Sequence, residues 1–60
     1  MRYEFKTVLL TKLDAEIEQS STDLLNLHTK QGWEFVQSTI SQPPHGSYTT
    51  VFFVFRRQLS

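Results

Sequence analysis

Five consecutive residues of this chain, Val51-Phe52-Phe53-Val54-Phe55, are all large and apolar. Successive side chains of a β-strand point to opposite faces, so such a run places apolar groups on both faces of its sheet. The strand carrying it, expected over residues 48–55 and ending near Arg56-Arg57, therefore belongs at the centre of a sheet. It needs apolar cover above and below.

The rest of the chain offers little to provide that cover. Residues 1–11 alternate, with Tyr3, Phe5, Thr7 and Leu9 on one face and Glu4, Lys6, Val8 and Leu10 on the other, the pattern of a half-buried strand. Leu13 and Ile17 are four apart, but Ser20 and Ser21 interrupt the apolar stripe, so residues 12–20 read as an irregular or loosely helical lead-in, with the helicity of residues 14–19 left open. Ser20 followed by Asp23 approximates a capping box, and Leu24, Leu25, Leu27 and His28 come behind it. Lys30 suits the negative end of the helix dipole and Gly32 suits a left-handed C-cap, which predicts a helix over residues 21–31. Period two returns at residues 33–40: Trp33, Phe35, Gln37 and Thr39 against Glu34, Val36, Ser38 and Ile40. Turn formers with paired prolines fill residues 41–47, and a proline pair cannot continue a ladder.

The expected order is β-α-β-β, an α+β fold in one domain over residues 1–60. The last two strands form a hairpin, and the first joins the third, which gives a three-stranded antiparallel sheet in the order 1-3-2 with one helix on one face. One helix leaves the other face bare. A large bare apolar face usually marks an interface, so the expected partner is a second copy, joined sheet to sheet or edge to edge in a dimer or larger homo-oligomer. Phe52, Phe53, Val54 and Phe55 are the candidate interface residues. One alternating pair is expected in the core and the other at the contact.

Size sharpens the argument. A chain of 60 residues buries only about 60% of the surface that it exposes when unfolded. It has no cysteine and only two histidines, His28 and His45, so neither a disulfide nor a closed zinc site is expected to staple it, and no metal or cofactor is implied. Six basic residues balance six acidic ones. That balance disfavours nucleic acid and a membrane surface as partners, both of which call for a basic excess. No apolar run approaches a transmembrane length and the N-terminus does not read as a signal peptide, so the expected location is cytoplasmic.

Three stretches carry a family resemblance: Tyr3-Glu4-Phe5-Lys6, Gly32-Trp33-Glu34-Phe35-Val36 directly after the helix, and the apolar strand ending in Phe55-Arg56-Arg57. In these the chain resembles the short family called domain of unknown function 4177, whose members occur in bacteria and their phages. The resemblance spans nearly the whole chain, with the Gly-Trp-Glu run as its most specific element, and it implies the strand-helix-strand-strand order. It implies no activity.

No phosphate loop, serine elbow or HExxH sequence is present, and the expectation is a protein that is not an enzyme. Trp33 is expected to pack the helix end onto the sheet, Glu34 to pair across strands with Lys6 or an arginine, and His28 to be a partly buried, hydrogen-bonded residue. The candidate ligand-binding set is Arg56, Arg57, Tyr48, His45 and Trp33, because arginine forks match phosphates and carboxylates and aromatic faces stack on planar groups. The functional expectation is a homo-oligomeric binding module that binds or sequesters a small anionic, nucleotide-like ligand at the subunit interface. The alternative is a protein–protein adaptor that uses the exposed sheet face or edge.

Overall fold

The computed structural model describes residues 2–44 and 46–59. Four elements follow one another: β1 (Arg2–Leu13), α1 (Ile17–Lys30), β2 (Glu34–Ser41) and β3 (Tyr48–Leu59). The strands form one antiparallel sheet in the order β1-β3-β2. The fold is thus α+β with β3 at the centre.

β3 runs four residues beyond Phe55. The extension exists because β1 begins at Arg2 and supplies partners to the end, pairing Glu4 with Arg57, Tyr3 with Gln58 and Arg2 with Leu59. α1 also starts earlier than residue 21. Glu16 is its N-cap and makes no side-chain capping bond. The Ser20 N–H already donates to the Glu16 carbonyl at 3.0 Å, and Asp23 accepts from the Gln19 amide at 2.9 Å instead of closing a box with Ser20. The earlier start adds Ile17 to the face of α1 that packs on the core with Leu24 and Leu25.

The helix ends as the sequence suggests. Gly32 has φ +89°, and its N–H donates to the Thr29 carbonyl while that of Trp33 donates to the His28 carbonyl. This pair of bonds is a Schellman motif, and it satisfies carbonyls that the helix end would otherwise leave open.

β2 departs from strict alternation. Phe35 faces Phe55 across the ladder and Gln37 faces Val54, so Val36 is the extra residue of a β-bulge. Beyond it Ser38 and Ile40 pair with Phe53 and Val51, on the helix side, while Gln37, Thr39 and Ser41 pair with residues of the outer face.

The core is small. Val51, Phe53 and Phe55 are its buried members, and Val8, Leu10, Ile17, Leu24, Leu25 and Trp33 pack around them. Phe55 is 0% exposed; it stacks on the His28 ring and takes the edge of Phe35 at 6.3 Å. At the far end, the buried Thr49 hydroxyl donates to Asp14 Oδ1 at 2.6 Å and accepts from Gln42 Nε2 at 3.1 Å. These bonds tie the β1–α1 turn to the hairpin loop.

The molecule is a slab with extents of 45 × 18 × 11 Å. Its radius of gyration is 13.0 Å, against about 10 Å for a compact chain of this length. Its surface is 4581 Å², whereas a folded monomer of this mass exposes about 4,100 Å². Among the described residues, nothing packs over the sheet face away from α1.

Candidate binding surfaces

The face away from α1 carries the alternate residues of the central pair: Phe5 and Leu9 from β1, Phe52 and Val54 from β3. Leu9 sits directly opposite Phe52, and Thr7 opposite Val54. Phe5 is 63% exposed and Leu9 67%, values far from those of core side chains. Leu13 and Tyr48, paired opposite each other, extend the exposed apolar strip towards the hairpin end. β2 adds the polar residues Glu34, Gln37, Thr39 and Ser41 to this face, so the apolar patch lies over β1 and β3.

Of the four residues expected to mix core and contact roles, Phe53 and Phe55 lie beneath α1. They are taken out of any interface by the intrachain core. Phe52 and Val54 remain on the outer face.

Of the four described candidate ligand-binding residues, Arg57 and Trp33 come together, while Arg56 and Tyr48 lie elsewhere on the sheet. Arg56 and Arg57 are consecutive in β3, so they project to opposite faces. On the outer face Arg56 grips Glu34 with two bonds, Nε to Oε2 at 3.1 Å and Nη2 to Oε1 at 3.2 Å, and its guanidinium lies 4.6 Å from the Tyr3 ring centroid. Hydrogen bonding to Arg56, reinforced by its charge, holds the Glu34 carboxyl below its ordinary value of 4.5 and raises Arg56 in turn. On the helix side Arg57 binds Glu4 through Nε at 3.1 Å and through Nη2. Tyr48 is exposed at the opposite end of β3, about 27 Å along the strand from Arg56. His45 lies outside the described residues. Within one copy the four described members are thus split between two faces and two ends of the sheet.

What the fold does assemble is a cluster around Trp33, on the helix side. The Arg57 guanidinium lies 4.4 Å from the indole centroid and Lys6 Nζ lies 5.4 Å from it. Trp33 is half-buried where the helix end meets the sheet, and Lys6 is half-buried one step along β1 from the Glu4–Arg57 pair. With Glu4 offsetting Arg57, the cluster keeps one excess positive charge, on Lys6. The sequence reading assigned Lys6 to Glu34 as a possible partner and gave it no ligand role. The clue was present in the alternation, because Glu4 and Lys6 share a face of β1 with the core residues Val8 and Leu10.

His28 is buried with its Nδ1 2.8 Å from the Leu24 carbonyl. A carbonyl only accepts, so Nδ1 carries the proton. Among the described residues no group of three or more histidine, cysteine, aspartate or glutamate side chains is arranged to hold a metal ion, and no helix is long and apolar enough to cross a membrane.

The described residues also form a concavity. A groove of about 420 Å³ opens between the first half of α1 and β2, with Ile17, Leu25, Val51 and Phe53 inside and Ser38 and Ile40 on the β2 wall. Compared with known proteins, the chain matches no family model, no curated protein and no solved structure, so its reading rests on its own residues.

Proposed function

We propose that this chain is a non-enzymatic binding module that works as a homo-oligomer, with the outer faces of two copies packed sheet to sheet. The observation that carries this reading is the bare strip formed by Phe5, Leu9, Phe52 and Val54 on a domain whose surface exceeds the monomer expectation by about 500 Å². An apolar strip of that kind is commonly an interface, and a self-complementary patch meets its own copy about a two-fold axis. Polar groups flank these four residues, Glu34 with Arg56 on one side and Thr11 hydrogen-bonded to Thr50 on the other, between them and Leu13 with Tyr48. An apolar centre with a polar surround is the common anatomy of such contacts.

The test compares the two faces of β3. Leu9→Asp and Phe52→Asp place charge on the outer strip and are expected to yield smaller, folded species by light scattering and circular dichroism. Phe53→Asp places charge in the core and is expected to unfold the chain. Outer-face variants that keep the wild-type mass would overturn the sheet-to-sheet reading.

A second reading has its own observation. Two cations over one indole, with a net positive charge, form a surface suited to a small anion with a planar group. The binding module would then hold a nucleotide-like ligand at Lys6, Arg57 and Trp33. Trp33 is the one tryptophan in the chain, so its fluorescence reports the site directly. Titration with adenosine monophosphate is expected to change the emission in a saturable way, and Lys6→Ala to remove the change. A flat titration would count against the ligand and favour the protein–protein adaptor reading, in which the same apolar surfaces meet a different chain.

A further inference from the structure

The two edges of the sheet are unlike. β1 carries Arg2, Glu4, Lys6 and Lys12 along its length, and charged side chains, lysine above all, protect an edge from pairing with another chain. β2 carries a single charge, Glu34, and that is engaged by Arg56. Its regular part, Gln37-Ser38-Thr39-Ile40-Ser41, has no charge and no proline, and every residue of it is exposed. A strand with one free side presents unpaired N–H and C=O groups, and nothing in this segment discourages their pairing.

We propose that this edge joins the same edge of a second copy, antiparallel about a two-fold axis at Thr39, and makes a continuous six-stranded sheet. The register follows from the strand itself. Pairing about Thr39 sets Ser38 opposite Ile40 of the second copy and Gln37 opposite its Ser41. Each pair then shares a face, since Ser38 and Ile40 are on the helix side and Gln37 and Ser41 on the outer side. The limits of the segment agree as well. The bulge residue Val36 and the first loop residue Gln42 lie at equal distances from Thr39, so both ends of the pairing stop together. A two-fold centred on Ser38 fails, because it sets Phe35, on the helix side, opposite Ser41, on the outer side.

The pairing also accounts for the groove. Ile40 is 65% exposed on the groove wall, beside the small Ser38. In the proposed register Ile40 of the second copy lies directly beside Ser38 and closes the open side of the groove. The same event buries both Ile40 side chains. The edge is separate from the outer strip over β1 and β3, so this contact does not depend on the sheet-to-sheet pairing, and the two together are compatible with a tetramer.

Disulfide trapping tests the register, helped by the absence of native cysteine. Residues directly opposite in an antiparallel pair have Cα atoms about 4.5–5.5 Å apart, within disulfide range. Ser38 and its own copy are diagonal neighbours about 7–8 Å apart, beyond easy bridging. The variants Thr39→Cys and Ser38→Cys are made in the Leu9→Asp background, so that the outer strip contributes nothing. Mild oxidation of Thr39→Cys is expected to give a covalent dimer as the main product, and Ser38→Cys is expected to stay uncrosslinked. Thr39→Lys, which sets like charges opposite each other on an exposed strand, is expected to remain folded and to lose this association step. A folded Thr39→Cys that stays monomeric, or equal cross-linking from both cysteine variants, would overturn the proposal.

Discussion

The imidazole of His28 lies flat against the ring of Phe55, with centroids 4.5 Å apart and planes within 10°. The contact joins the last turn of α1 to the deepest residue of the central strand. The Nδ1–H bond to Leu24 fixes the ring in that pose.

Truncating this ring removes the main aromatic contact between helix and sheet. His28→Ala is expected to destabilise the fold by about 3 kcal/mol, as loss of a buried ring does. His28→Phe keeps the stacked area and gives up one hydrogen bond, so its cost is about 1 kcal/mol. Urea titration followed by circular dichroism checks both. Equal midpoints for the two variants would mean that the stack contributes nothing.

Gly32 tests backbone conformation alone. A Cβ placed there meets no atom within 4 Å, so a substitution introduces no clash with the rest of the fold. With φ at +89°, Gly32→Ala is expected to cost about 1–2 kcal/mol, the penalty of a left-handed conformation for an L-residue. Gly32→Asn is expected to cost less, because asparagine visits that region more readily. Thermal melting of the three proteins ranks them directly.

The Glu34–Arg56 pair predicts an acid-sensitive component of stability. The folded-state pKa of Glu34 is lowered by Arg56. Its contribution is therefore present above the unfolded value and lost as the pH falls through the lower folded value. Melting temperatures of wild type and Glu34→Gln are expected to differ at neutral pH and to converge in acid, below 4.5. The effect is modest because the pair is exposed to solvent. A constant difference from neutral to acid pH would show that the pair's charge is not responsible.

Much of the fold was legible in the chain. Period-two patterns located all three strands, the apolar run at Val51 to Phe55 placed β3 in the centre, and Gly32 marked the helix end. The helix start was obscured because Ser20 and Asp23 resemble a cap, whereas the structure begins α1 from Glu16, with no side-chain cap to read. The bulge at Val36 was invisible for a different reason. Alternation shows that residues point both ways but not which one is extra, and only the register against Phe55 and Val54 decides it. The candidate site suffered most from the same geometry. Arg56 and Arg57 are neighbours in sequence, yet a strand that continues to Leu59 sends them to opposite faces, each onto its own carboxylate. The cluster around Trp33 depends on bringing β1 beside β3, a contact between distant parts of the chain.

The position of β3 also has a consequence for how the molecule is made. It follows every element that it holds together, and its partners reach back as far as Arg2. On the ribosome, β1, α1 and β2 emerge before the strand that pairs with both of the others. No sheet can close during that interval, and the apolar residues of β1 stay uncovered until Tyr48–Leu59 arrives. A transcript cut short between Ser41 and Tyr48 therefore yields two orphaned strands and a helix with nothing beneath it, not a smaller version of the domain.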